Sequence, residues 1–123
     1  MKKLFLILVM LVAVNVSGQW VQMSNGMGIY KSIFSLTSSG TNIYAASSNG
    51  LYLSTNNGLN WSLLNNGITV QRINSVVISG SNIFAASDHS GIFLSTNNGT
   101  SWASVNNGLT SLWIWTLAIS GTN

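Results

Sequence analysis

From residue 32 to residue 105 the apolar positions come in short runs of four to seven, each bounded by Gly, Asn or Ser. Runs of this length, rich in Ile, Val, Phe and Tyr, are too short for helices and predict β-strands. In one stretch the expected strands are Ile73–Ser79, 83–87, Ile92–Ser95 and 102–105. They are joined by Gly80-Ser81-Asn82, by residues 88–91 and by residues 96–101. Asn-Gly pairs beginning at 49, 57, 66, 98 and 107 supply the positive backbone dihedrals that tight turns need. No segment sustains a helical period, and there is no proline to interrupt a strand ladder. The pattern predicts an all-β chain.

The pattern also repeats. Ser54-Thr-Asn-Asn-Gly-Leu-Asn-Trp61 returns as Ser95-Thr-Asn-Asn-Gly-Thr-Ser-Trp102, and Trp20, Trp61 and Trp102 are each 41 residues apart. Ser39-Gly-Thr-Asn-Ile-Tyr-Ala-Ala46 returns as Ser79-Gly-Ser-Asn-Ile-Phe-Ala-Ala86, and its first four positions return again from Ser120 to Asn123. A four-stranded unit of about 40 residues with a fixed turn motif is the signature of a β-propeller blade. Two complete blades are expected over residues 32–64 and 72–105. An isolated outer strand is expected at 20–24 and an isolated inner strand at 114–120. A ring needs about 4 to 8 such blades, so the sequence reads as an N-terminal fragment of one.

Ser54, Asn56, Gly58 and Trp61, with Ser95, Asn97, Gly99 and Trp102, resemble the Asp-box, or BNR, repeat of sialidases, sortilin-type receptors and photosystem II assembly-factor-like propellers. In this motif the serine and Asn oxygens accept from backbone N–H groups of the turn, the glycine takes a positive φ, and the tryptophan covers the turn. A buried Trp covers about 150–250 Å², worth at most about 4–6 kcal/mol at about 25 cal/mol per Å². The resemblance implies Asp at the third position, where both copies here carry Asn. An uncharged amide still accepts the turn bonds but argues against a metal at these turns.

The first eighteen residues have a separate logic. Lys2 and Lys3 precede an uninterrupted apolar run at 4–14, and Val16-Ser17-Gly18 offers small or tolerated residues before a cut. The run is far shorter than the ~20 residues of a membrane span, so 1–18 reads as a signal peptide and 19–123 as the exported propeller part, periplasmic or secreted and bacterial in type.

Composition then removes whole classes of chemistry. There is no Cys and no Glu, and beyond the leader the charged residues are Lys31, Arg72 and Asp88, a net charge of +1. That excludes a disulfide framework, a thiolate zinc site, a nucleic-acid footprint and a paired-carboxylate glycosidase site within this stretch. No catalytic residue, metal site or cofactor is expected, and no membrane partner once the leader is removed. His89, the only histidine, lies in an Asp88-His89-Ser90 insertion. Adjacent residues on a tight turn do not build a nucleophilic triad, and a solvated loop is the expectation. Trp113 and Trp115 alternate around Ile114 and are expected in the core, as are Tyr30, Tyr44, Tyr52, Phe84 and Phe93 between blades.

The favoured function is a non-catalytic module that recognises a protein or a glycan. The alternative, from the resemblance, is the leading part of a carbohydrate-active hydrolase whose acidic residues lie downstream. The turns that repeat most faithfully belong to one end of each blade. The departures from repetition, the Asp88-His89-Ser90 insertion and the series Ser32, Arg72, Trp113, belong to the other. A structural staple must recur in every blade and a binding face need not, so ligand contacts are expected at Arg72, Asp88, His89 and Trp113.

Overall fold

The computed structural model describes residues 21–29 and 31–121. The expected signal peptide, Trp20 and Tyr30 lie outside the described residues. Two antiparallel four-stranded sheets, in strand order β1-β2-β3-β4 and β5-β6-β7-β8, account for all the strands among the described residues. The first comprises β1 (Ile33–Ser39), β2 (Asn42–Ser47), β3 (Gly50–Ser54) and β4 (Ser62–Leu63). The second comprises β5 (Ile73–Ser79), β6 (Asn82–Ser87), β7 (Ile92–Ser95) and β8 (Ala103–Ser104). No helix forms among the described residues, and none is long and apolar enough to cross a membrane. The sheets do not close on each other.

Cross-strand neighbours share a face of a sheet, so the registers define two sides. In the first sheet Thr37, Tyr44 and Leu53 lie in one row, and Leu36, Ala45 and Tyr52 in the next. Tyr44, Ala46 and Leu51 from the first row's side join Val76, Ile83, Ala85 and Phe93 of the second sheet in one core, closed by Ile68 and Trp102. Val76, Ala85 and Phe93 are the repeat equivalents of Leu36, Ala45 and Tyr52. The sheets therefore stack front to back in the same orientation. Ala45, Ala46, Ala85 and Ala86 are fully buried, and their small side chains permit the close approach.

Hydroxyls and turns tie the stack. The Val76 N–H donates to Ser35 Oγ (3.4 Å), and one repeat later the Leu117 N–H donates to Ser75 Oγ (3.1 Å). On the outer side the Trp61 N–H donates to the Asn25 carbonyl (2.8 Å), and the Trp102 N–H to the Asn66 carbonyl (3.0 Å). Gly26 and Gly67, with φ of 94° and 93°, press against the carbonyls of those same tryptophans, where any Cβ would collide.

Two expected strands are not strands. Residues 21–24 and 112–120 lack a ladder, because no strand among the described residues pairs with either. The fourth strand of the second sheet shortens to Ala103–Ser104: the Trp102 N–H turns away to the Asn66 carbonyl, while the Val105 N–H still donates to the Ile92 carbonyl of β7 (2.9 Å). Trp113 and Trp115 are 54% and 61% exposed rather than core, because no further sheet packs over residues 112–120 among the described residues.

The open back of the first sheet makes equivalent positions unequal: Ile33 is 40% exposed, while Ile73 is fully buried. Ile73→Ala is expected to cost about 2–5 kcal/mol, and Ile33→Ala less than about 1 kcal/mol. Chemical denaturation of the two variants checks this; equal losses would contradict the front-to-back stack.

Candidate functional site

The two Ser-x-Asn-x-Gly-x-x-Trp turns have the same internal bonding. Ser54 Oγ accepts from the Gly58 N–H (2.7 Å) and donates to Asn56 Oδ1 (3.0 Å), which in turn accepts from the Asn60 N–H (2.9 Å). Ser95, Asn97, Gly99 and Ser101 reproduce these bonds at 2.8, 2.9 and 2.9 Å. Asn57 and Asn98 take positive φ of 58° and 56°, followed by Gly58 and Gly99 at 87° and 85°. Trp102 is buried and donates its indole N–H to the Gly99 carbonyl (3.2 Å). Trp61 is only partly covered and donates to the Met23 carbonyl instead (2.9 Å). The serine hydroxyls and the Asn56 and Asn97 carbonyl oxygens are thus engaged within the turns themselves.

The Asn-Asn-Gly segments do more than turn the chain. Asn106 Oδ1 accepts from the Ile92 N–H (2.7 Å) and its amide donates to the Ser90 carbonyl (2.8 Å), bracing the turn that carries His89. Asn65 accepts from the Leu51 N–H in the same way (3.2 Å). The repetition of Asn65 and Asn106 is visible in the sequence, but their partners lie 14 residues away across two strands and carry no local signal.

Antiparallel connectivity places the β2–β3 turn, the β6–β7 turn and the entries to β1, β5 and residues 112–120 at one end of the sheets. There Arg72, Asp88, His89 and Trp113 meet. Asp88 is mostly buried; its Oδ1 lies 2.8 Å from His89 Nδ1 and its Oδ2 3.9 Å from Arg72 Nε. The His89 ring packs on Trp113 with centroids 4.0 Å apart and planes tilted by 52°. The Arg72 guanidinium lies 4.5 Å above the Phe34 ring and 5.6 Å from that of Trp115. His89 lies in an exposed turn, as expected of the insertion, and a carboxylate and an indole also contact it there. The Ser90 backbone is fixed on both sides: its N–H donates to Ser87 Oγ (2.9 Å) and its carbonyl accepts from the Asn106 amide (2.8 Å).

Two further residues, Phe34 and Asn74, belong to this cluster and were not legible in the sequence as site residues. Phe34 and Asn74 occupy the irregularity between Ile33 and Ser35 and its repeat between Ile73 and Ser75. Such a bulge re-aims a side chain that regular alternation would send elsewhere. Asn74 Oδ1 accepts from Arg72 Nε (2.9 Å) and its amide donates to the Ile114 carbonyl (2.9 Å), while the Ile114 N–H donates to the Ser87 carbonyl (3.0 Å). Ile114 is therefore pinned on both sides, which positions Trp113 against His89 and Trp115 against Arg72.

The arrangement offers a half-exposed guanidinium and two exposed indoles beside a carboxylate–imidazole pair. Groups of these kinds are able to stack on planar or apolar surfaces and to form charge-assisted hydrogen bonds. If the Ser-x-Asn turns are staples, Ser95→Ala leaves the buried Gly99 N–H without its acceptor and is expected to destabilise by about 1–3 kcal/mol. Thermal melting checks this, and an unchanged midpoint would contradict the structural role. In comparisons with known proteins, no family model, no curated protein and no solved structure matches this chain.

Proposed function

We propose that the chain is part of an exported β-propeller of the Asp-box type and acts as a non-catalytic binding module for a protein or a glycan. The observation that carries the binding face is the convergence of the chain's only Arg, only Asp and only His on one surface, beside exposed Trp113 and Trp115. In a chain with 4% charged residues this concentration is not a solvated-surface average. Trp and Arg are also the residues most enriched where binding energy concentrates in interfaces.

The propeller part of the reading is supported by the front-to-back stacking at a 40–41-residue step and by the identical bonding of the two Ser-x-Asn-x-Gly-x-x-Trp turns. Export is supported by the Lys-Lys, apolar-run, Val-Ser-Gly leader. N-terminal sequencing of the exported protein is expected to begin at or near Gln19; an intact Met1 in a membrane fraction would contradict removal of the leader.

The binding face is tested by presenting the full chain to a printed glycan array and to arrayed extracellular protein domains, then repeating the positive interactions with variants. Arg72→Ala and Trp113→Ala are each expected to weaken binding tenfold or more with an unchanged melting midpoint. Trp102→Ala, which empties a core position, is expected to lower the midpoint by several degrees. Wild-type affinity in both surface variants, with binding lost on substitution of exposed Ser-x-Asn turn positions in a folded chain, would place the ligand at the opposite end.

A further inference from the structure

Asp88, the one acidic side chain of the sequence, sits between two donors. Its Oδ1 lies 2.8 Å from His89 Nδ1 and its Oδ2 3.9 Å from Arg72 Nε, and its side chain is only 16% exposed against 57% for His89 and 41% for Arg72. The acceptor is therefore inside and the two donor side chains are outside. Because an ionised carboxylate only accepts, the hydrogen between the pair belongs to Nδ1 of the imidazole in either protonation state. That fixes what His89 offers outward. Its Nε2 is a bare acceptor when the ring is neutral and an N–H donor when the ring is charged.

Arg72 is oriented by its neighbours too. Its Nε donates to Asn74 Oδ1 (2.9 Å), and its guanidinium lies over the Phe34 ring, 4.5 Å from the centroid, with that of Trp115 at 5.6 Å. Its Nη groups donate to no acceptor among the described residues, so the forked edge of the guanidinium is the part left for a partner. The polar groups that Arg72 and His89 turn outward are then all donors once the imidazole carries its second proton. In charge the cluster is balanced while His89 is neutral, one guanidinium against one carboxylate, and it gains one positive charge on protonation. The charged groups facing the imidazole are Asp88 on its own turn and Arg72 across the same carboxylate; residues 112–120 bring only the uncharged Trp113.

We infer that this end binds an oxyanion carried by the ligand, held by the Arg72 Nη edge and by His89 Nε2–H, and that one proton is taken up at His89 as the anion binds. The inference rests on the reading of this end as the binding face and adds to it the chemical class of the ligand and its dependence on pH. The fork of the guanidinium matches two oxygens of a carboxylate, sulfate or phosphate group, and the imidazolium supplies a further charge-assisted bond. A neutral imidazole instead sets a lone pair against the anion, so deprotonation weakens binding. By linkage, proton and anion strengthen each other's binding by the same factor.

The test is NMR titration of the full chain with inorganic sulfate and, separately, with acetate, against chloride at equal ionic strength. Both probes stay ionised from about pH 6 to about pH 8, so a pH dependence in that range belongs to the protein. Saturable shifts at the Arg72 guanidinium and the His89 ring are expected with at least one probe, and the tighter of the two distinguishes a tetrahedral ester from a carboxylate as the group recognised. Affinity is expected to rise about fivefold or more from about pH 8 to about pH 6, and saturating anion is expected to move the His89 titration upward in pH. Arg72→Gln is expected to weaken binding about tenfold or more, and His89→Gln, whose amide takes up no proton, to bind equally at both pH values. Sheet amide resonances are read to establish that both variants are folded. Shifts no larger than with chloride, or an affinity in the unsubstituted chain that is the same at both pH values, would overturn the inference. The binding-face reading is decided separately: if array ligands depend on Arg72 and Trp113 while sulfate and acetate do not bind, the anion has failed and the face has not.

Discussion

The backbone bond from the Trp102 N–H to the Asn66 carbonyl, with its counterpart from Trp61 to Asn25, sets the spacing on which the rest of the fold depends. It joins the turn that ends one repeat to the last strand of the next, and the adjoining glycine allows contact at a distance where no Cβ fits. On the inner side the serine hydroxyls of β1 and β5 accept from the following segment and fix the same step. Between these two attachments the alanine pairs let the sheets close over Tyr44, Leu51, Ile73 and Phe93. A single four-stranded sheet cannot bury both faces; stacking supplies the burial.

The strand pattern was legible because each apolar run ends at a Gly, Asn or Ser that terminates it, so Ile73–Ser79 and Ile92–Ser95 could be read with their bounds. The turn bonding of Ser54 and Ser95 was legible for a related reason: donor and acceptor lie within four residues of each other. Residues 114–120 misled because a strand is a property of a pair, and apolar alternation does not reveal whether a partner is present. The burial of Trp113 and Trp115 failed with it, since their expected cover was a further sheet.

The site was half legible. Breaks in periodicity pointed to Arg72, Asp88, His89 and Trp113, and antiparallel connectivity brings these to one end. Phe34 and Asn74 stayed hidden because a bulge reverses the alternation at that position, and the sequence gives no mark of it. Yet Asn74 is the residue that links Arg72 to Ile114 and so ties the guanidinium to both indoles. The structural end of each sheet repeats because every copy needs the same turn, while this end varies from copy to copy.

The central claim is that residues far apart in sequence form one ordered surface at the variable end. The chemical shifts of the His89 imidazole protons test it most directly, because an indole ring 4.0 Å away displaces them by its ring current. In the folded chain they are expected upfield of their unfolded values, and they should return toward those values in Trp113→Ala while the sheet resonances stay in place. Unperturbed imidazole shifts in a chain whose sheets are folded would contradict the account.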